Sequence, residues 1–263
     1  MVAISQRPII SYQAMQKAAR ITQYVYQFYF PLHGISLSDI ASYYPTLTTI
    51  ESIIYQADFV METYQDSGGK HSLYQDYGNQ IGELKNSLVC LLHELDLYDP
   101  VIEARLLKGE EFIKLENEIM LKEVISHSDI INVAESRSSD VRLLHHILFR
   151  MLNKQYDERL ISLVWPVEVI ADIEDDFKSY VDDVSKNHYN TYHMFVLLYQ
   201  EDAPEKINSE IFRYEQMFEE RLLQFSSKER AVFSKLYHQF RHIHDASTPE
   251  PDLSQRLALQ LVS

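Results

Sequence analysis

Apolar residues recur at three- and four-residue spacing over most of this chain, the period of helices that bury one face. The pattern predicts helices at about 9–30, 46–66, 73–95, 100–127, 137–154, 159–185, 190–200, 204–223 and 226–243. Breakers separate them: Pro31 with Gly34, Pro45, Gly68 with Gly69, Pro100, Asn187 and Pro204. The last stretch, DASTPEPDLSQRLALQLVS, opens on turn formers. The expected organisation is one all-α domain over residues 1–245, with 246–263 as a tail or a short docking helix. No period of 20 to 50 residues recurs, which argues against a solenoid.

Composition agrees with that pattern. Only 6 glycines and 8 prolines occur in 263 residues, too few for the many tight turns of a β-sandwich or a doubly wound sheet. Hydrophobic residues at 46% are enough for a sizeable core and exclude a disordered chain. The single cysteine, Cys90, excludes an internal disulfide and a thiolate-rich metal site. A formal net charge of -15 would repel nucleic acids and anionic membranes, and no basic run opposes it. The start of the chain lacks a basic region followed by an apolar stretch, and no segment is apolar for long enough to cross a bilayer. The expected location is the cytoplasm.

Familiar catalytic signatures are missing. There is no G-x-S-x-G elbow and no G-x-G-x-x-G after a strand, and Gly68-Gly69-Lys70 carries only the end of a phosphate-loop pattern. His238 and His242 stand four apart on a helix, a spacing that suits a metal. The sequence shows no obvious third ligand for them, and 11 histidines make one such pair expected by chance.

The most informative segment is WPVEVIADIEDDFKSYVDDVSK, residues 165–186. Pro166 fits the first turn of a helix, where its missing N–H is not needed. Glu168, Asp172, Asp175, Ser179 and Asp182 fall within a sector of roughly 80°. Asp176 and Asp183 flank that sector, and Val169, Ile173, Phe177, Tyr180 and Val184 form a separate apolar stripe. Glu174 and Lys178 lie on a third face that reads as the wetted side. Carboxylates four apart repel by a few tenths of a kcal/mol per pair, and a divalent cation would relieve them. The spacing therefore fits either a Mg²⁺ platform for a diphosphate or a solvated acidic face.

Residues 168–183 resemble the second aspartate-rich helix of class I isoprenoid synthases, the all-helical family of trans-prenyltransferases, squalene and phytoene synthases and terpene cyclases. Against that family's D-D-x-x-D pattern, Asp175 and Asp176 match the first pair and Ser179 stands at the third acid. Asp172 supplies an acid one turn earlier. The strict motif is broken at Ser179, whose hydroxyl is still an oxygen donor, as in the Asn-Ser-Glu motif of terpene cyclases. The family's first acidic helix would fall on ADFVMETYQD, where Asp58 and Glu62 share a face with Asp66 one turn on, and an adjacent Asp pair is missing.

The resemblance implies a single-domain multi-helix bundle with a central apolar cavity. It implies Mg²⁺ held by Asp58, Glu62, Asp172, Asp175, Asp176 and Ser179, gripping the diphosphate of a prenyl substrate. Arg137 is the candidate for the family's diphosphate-sensing residue, with an i,i+3 pair to Asp140 as the alternative. Arg241 is the candidate for its capping arginine, with a plain surface role as the alternative. Metal and arginine charge would stabilise departing pyrophosphate, followed by prenyl coupling or cyclisation, without a side-chain nucleophile. The family also allows a homodimer. Aromatic residues at 12%, concentrated in YVYQFYF over 24–30, suit either a carbocation pocket or an ordinary core.

Two other functions fit the same residues. One is a relative of the family that no longer ionises substrate and serves as a binding or partner protein. The other is an unrelated acidic helical interaction protein. The enzyme reading requires the ridge from Glu168 to Asp182 to face inwards.

Overall fold

Ser11 opens the first helix: its hydroxyl accepts the Ala14 N–H, closing one of the donors that every helix start leaves unpaired. In the computed structural model, which describes residues 10–66, 71–244 and 247–252, the described chain is helical without a strand. The helices are α1 (Tyr12–Leu32), α2 (Ile40–Asp66), α3 (His71–Glu94), α4 (Pro100–Met120) and α5 (His127–Arg137). They continue with α6 (Ser139–Met151), α7 (Glu158–Lys186), α8 (Thr191–Tyr199), α9 (Ala203–Leu222) and α10 (Ser227–His244). The all-α expectation holds. Gly68 and Gly69 lie outside the described residues.

Residues in the left-handed region end two of these helices. Gly34 takes φ +70° after α1, and the Ile35 N–H returns to Phe30 O at 2.9 Å, a left-handed stop that glycine allows without strain. Asn187 does the same for α7 at φ 58°, with the His188 N–H on Asp183 O at 2.9 Å. The helix expected at 100–127 is instead α4, a turn, and a separate α5. Ser126 forms a capping box with Asp129 that starts the new helix.

Two prolines expected as a break and a first-turn residue are interior. Pro45 lies within α2 and Pro166 within α7. At Pro166 the missing N–H would have met Ser162 O, and Arg221 Nη1 donates to that carbonyl at 2.6 Å instead. A side chain remote in sequence thus replaces the lost backbone bond.

The chain divides into two compact units. The first comprises residues 1–104 and 143–156, and the second residues 105–142 and 157–263. In the first unit, α1 lies on α2 through Ala14, Ala18 and Tyr55. His33 and His145 meet nitrogen to nitrogen at 2.8 Å, with His145 fully buried. Burial, reinforced by His33 and His146, lowers the pKa of His145 well below the usual imidazole value.

In the second unit α7 is the central helix, packed by α5, α8, α9 and α10. Its stripe of Val169, Ile173, Phe177, Tyr180 and Val184 is buried as the spacing requires, against Tyr192, Phe195 and Ile207 among others. Residues 247–252 lie along the same unit: Tyr192 donates its hydroxyl to Pro249 O at 2.6 Å, and the Asp252 N–H donates to Tyr180 Oη at 2.9 Å. Among the described residues no helix is long and apolar enough to cross a membrane.

Candidate functional site: the carboxylates of α7

Because helices surround α7 on several sides, its inward arc is wider than one stripe, and carboxylates fall inside it. Each buried one meets a donor. Asp176 is fully buried; Arg137 Nη1, from the end of α5, reaches both of its oxygens at 2.5 Å. The Thr191 N–H adds a third bond at 2.7 Å. Arg142 donates through Nε to Glu168 at 3.0 Å. Asp172 accepts from the Ser138 hydroxyl. Asn190, fully buried, joins the two ends of the motif: its amide donates to Asp176 O at 2.8 Å and to Asp183 Oδ2 at 2.9 Å. Its own carbonyl oxygen caps α8 by accepting the His193 N–H at 3.0 Å.

Electrostatics around Arg137 are unbalanced. Burial pushes the Asp172 carboxyl up to about 7, with Asp140 and Asp176 adding to the rise and Arg137 opposing it. The residue keeps a solvent-facing edge while its carboxyl group is enclosed. Burial likewise raises Asp176, with Arg137 and Thr191 opposing. Burial disfavours the charge of Arg137, yet Asp176, Asp172 and Glu116 together hold its pKa well above the ordinary value.

The expected ridge does not face inwards along its length. Glu168 is buried, Asp172 and Ser179 are half-buried, and Asp175 and Asp182 are exposed. Asp182 pairs with Lys186 at 2.7 Å. Glu174, read as wetted, is 2% exposed and receives Arg241 Nη1 at 2.5 Å. α10 covers that face of α7, which a single apolar stripe does not reveal. Arg241 also donates to Glu215 at 3.2 Å. Arg137 pairs with Asp176, a partner remote in sequence.

In the first unit, Asp58 and Glu62 share Lys17, whose ammonium is 2.7 Å from Asp58 and 3.8 Å from Glu62. Lys17 also sits 4.5 Å from the centre of the Tyr55 ring. The side chain of Asp66 lies outside the described residues, as do those of Tyr24 and Tyr26 in the aromatic run.

Three of the candidate Mg²⁺ ligands on α7 already have protein partners. Both Asp176 oxygens are taken, Asp172 is satisfied by a hydroxyl, and the Ser179 hydroxyl donates to Asp183 at 2.5 Å. Among the described residues no three His, Cys, Asp or Glu side chains converge as ligands. In this arrangement Asp176, Asp172 and Ser179 are engaged with protein partners.

No family model matches the chain, and no curated protein or solved structure matches it either. The α7 network therefore stands on its own chemistry: a set of inward carboxylates held by Arg137, Arg142, Arg241, Ser138 and Asn190. Arg137 and Arg241 stand out in the sequence as candidates, whereas Ser138, Asn190 and Thr191 do not. Asn190, immediately before α8, is the available signal, since a buried Asn at a helix start can both cap and bridge.

Proposed function

We propose that this chain is a non-ionising relative of the class I isoprenoid synthases, a binding or partner protein in which the central acidic helix serves as a structural keystone. One observation carries the reading: Arg137 and the Thr191 N–H together occupy the Asp176 carboxylate that the enzyme would give to metal. A buried carboxylate held by a guanidinium and a backbone donor already has its own charge compensated. Arg241 supports the same reading, because its guanidinium is committed to Glu174 and Glu215 rather than turned towards a diphosphate.

A second reading, a Mg²⁺-dependent prenyl transfer or cyclisation enzyme acting on a prenyl diphosphate, is favoured by one feature. Asp172, Asp176 and Glu116 surround the single charge of Arg137, and Asp175 is exposed beside them. Such a surplus of negative charge is what a divalent cation neutralises. The two readings separate in one assay. The full chain, incubated with Mg²⁺ and geranyl, farnesyl or geranylgeranyl diphosphate, releases no pyrophosphate above the protein-free control if the first is right. Release that is lost in Asp175→Asn establishes the second.

A further inference from the structure

Side chains from α5, α8 and α9 meet in one hydrogen-bonded line that the α7 network does not include. The Tyr199 hydroxyl lies 2.8 Å from His127 Nδ1, and His127 Nε2 lies 3.2 Å from Glu210 Oε1. Each of the three is fixed from behind. His127 is the first residue of α5, set by the capping box of Ser126 and Asp129. Tyr199 is the last residue of α8, because Gln200 turns the chain at φ 56° and ψ -124°, a strained conformation for a residue with a Cβ. Glu210, on α9, gives its other oxygen to Arg213 Nε at 2.6 Å.

The chemistry of these groups sets the direction of the line. An ionised carboxylate only accepts, so His127 Nε2 carries the hydrogen that meets Glu210. The neutral ring then presents a bare Nδ1, and the Tyr199 hydroxyl donates to it. A hydroxyl that donates to an imidazole, whose far nitrogen is held by a carboxylate, is the arrangement in which a general base activates a nucleophile. Both distances lie within the reach of proton transfer. Tyr156 shows the contrast: its hydroxyl donates to Asp99 at 2.7 Å, and burial together with that carboxylate raises its pKa.

We infer that Tyr199 is a nucleophile for acyl transfer from activated carboxylic esters, with His127 as its base and Glu210 as the positioning residue. Tyr199 and His127 both keep solvent-facing surface, and the His127 side chain is 40% exposed, so the pair is open to a small ester. Charge selects the carbonyl electrophile. Glu201 and Asp202 follow Tyr199 on the surface and the net charge is -15, a field that repels phosphate esters and admits neutral ones. In the reaction Tyr199 Oη bonds to the carbonyl carbon while its proton passes to His127 Nδ1. The bond from that carbon to the leaving oxygen then breaks, and Nδ1 returns the proton to the departing alcohol. Acyl-tyrosine and free alcohol result, with no change of oxidation state.

The test treats the full chain with p-nitrophenyl acetate and follows acetylation of each tyrosine by peptide mass spectrometry. Tyr12, which is 72% exposed and accepts a hydrogen bond from Gln16, is the internal reference. Tyr199 should be acetylated about 100-fold faster than Tyr12, the low end of what a positioned general base contributes. His127→Gln, which cannot take up the proton, should remove that advantage and leave Tyr12 unchanged. Glu210→Asp, which keeps the charge, should retain more of the rate than Glu210→Gln, which keeps the shape; a purely structural carboxylate would give the reverse order. Circular dichroism checks that the variants fold, and the ratio measured in the parent needs no variant. Acetylation of Tyr199 no faster than of Tyr12, or a fast rate that survives His127→Gln, overturns the proposal.

Discussion

Asp172→Asn isolates the proton held beside Arg137. In the folded chain the Asp172 carboxyl titrates at about 7, against 3.8 for a free aspartate. Because the folded pKa lies above the unfolded one, the native state binds the proton more tightly. The stability this contributes is fully present below the unfolded value and is lost as pH rises through about 7. Between about pH 6 and pH 8 the loss integrates to about 1 kcal/mol, a shift of roughly 2–4 °C in melting temperature for a chain of this size. Asparagine keeps the shape, stays neutral, and still meets the Ser138 hydroxyl. The parent should therefore lose stability relative to Asp172→Asn on going from pH 6 to pH 8 in urea or thermal unfolding. Parallel curves for the two proteins, or a parent that gains on the variant as pH rises, would refute the reasoning.

Other consequences follow from the same structure. Asp176→Ala leaves Arg137 without its buried partner and should cost about 3 kcal/mol in urea unfolding. Asn187→Ala places a Cβ-bearing side chain, with no local polar contact, at φ 58° and should cost about 1 kcal/mol, whereas Asn187→Gly should be close to neutral. Acidification should destabilise the first unit: His145 has a lowered folded pKa, so the unfolded chain takes up its proton first and stability falls as pH drops below 6.5, its unperturbed value. His145→Phe should remove that acid slope, as read by amide exchange in α6 at pH 5 and pH 7.

What could be read from the sequence follows from which forces act locally. The period of three and four identified the helices because each buries a face, and Gly34 and Asn187 marked ends because the left-handed conformation there is a property of one residue. Pro166 misled because its interior position is supported from elsewhere: Arg221, 55 positions beyond it in sequence, donates to the freed Ser162 carbonyl. The acidic helix was visible, and its buried apolar stripe was placed correctly. The direction of each carboxylate was not legible, since Glu174 is buried only because α10 returns over it, carrying Arg241. Arg137 was found as a residue, but its partner lies 39 positions away on another helix. Pairings of that kind are set by packing, and spacing along the chain does not carry them.

The proposal that α7 holds arginines in place of metal is tested most directly by a calorimetric titration of the full chain with Mg²⁺ in the presence of inorganic pyrophosphate. It should give the same heats for the parent and for Asp175→Asn, whose exposed position leaves the fold intact. Coupled binding of Mg²⁺ and pyrophosphate in the parent that disappears in Asp175→Asn would contradict it.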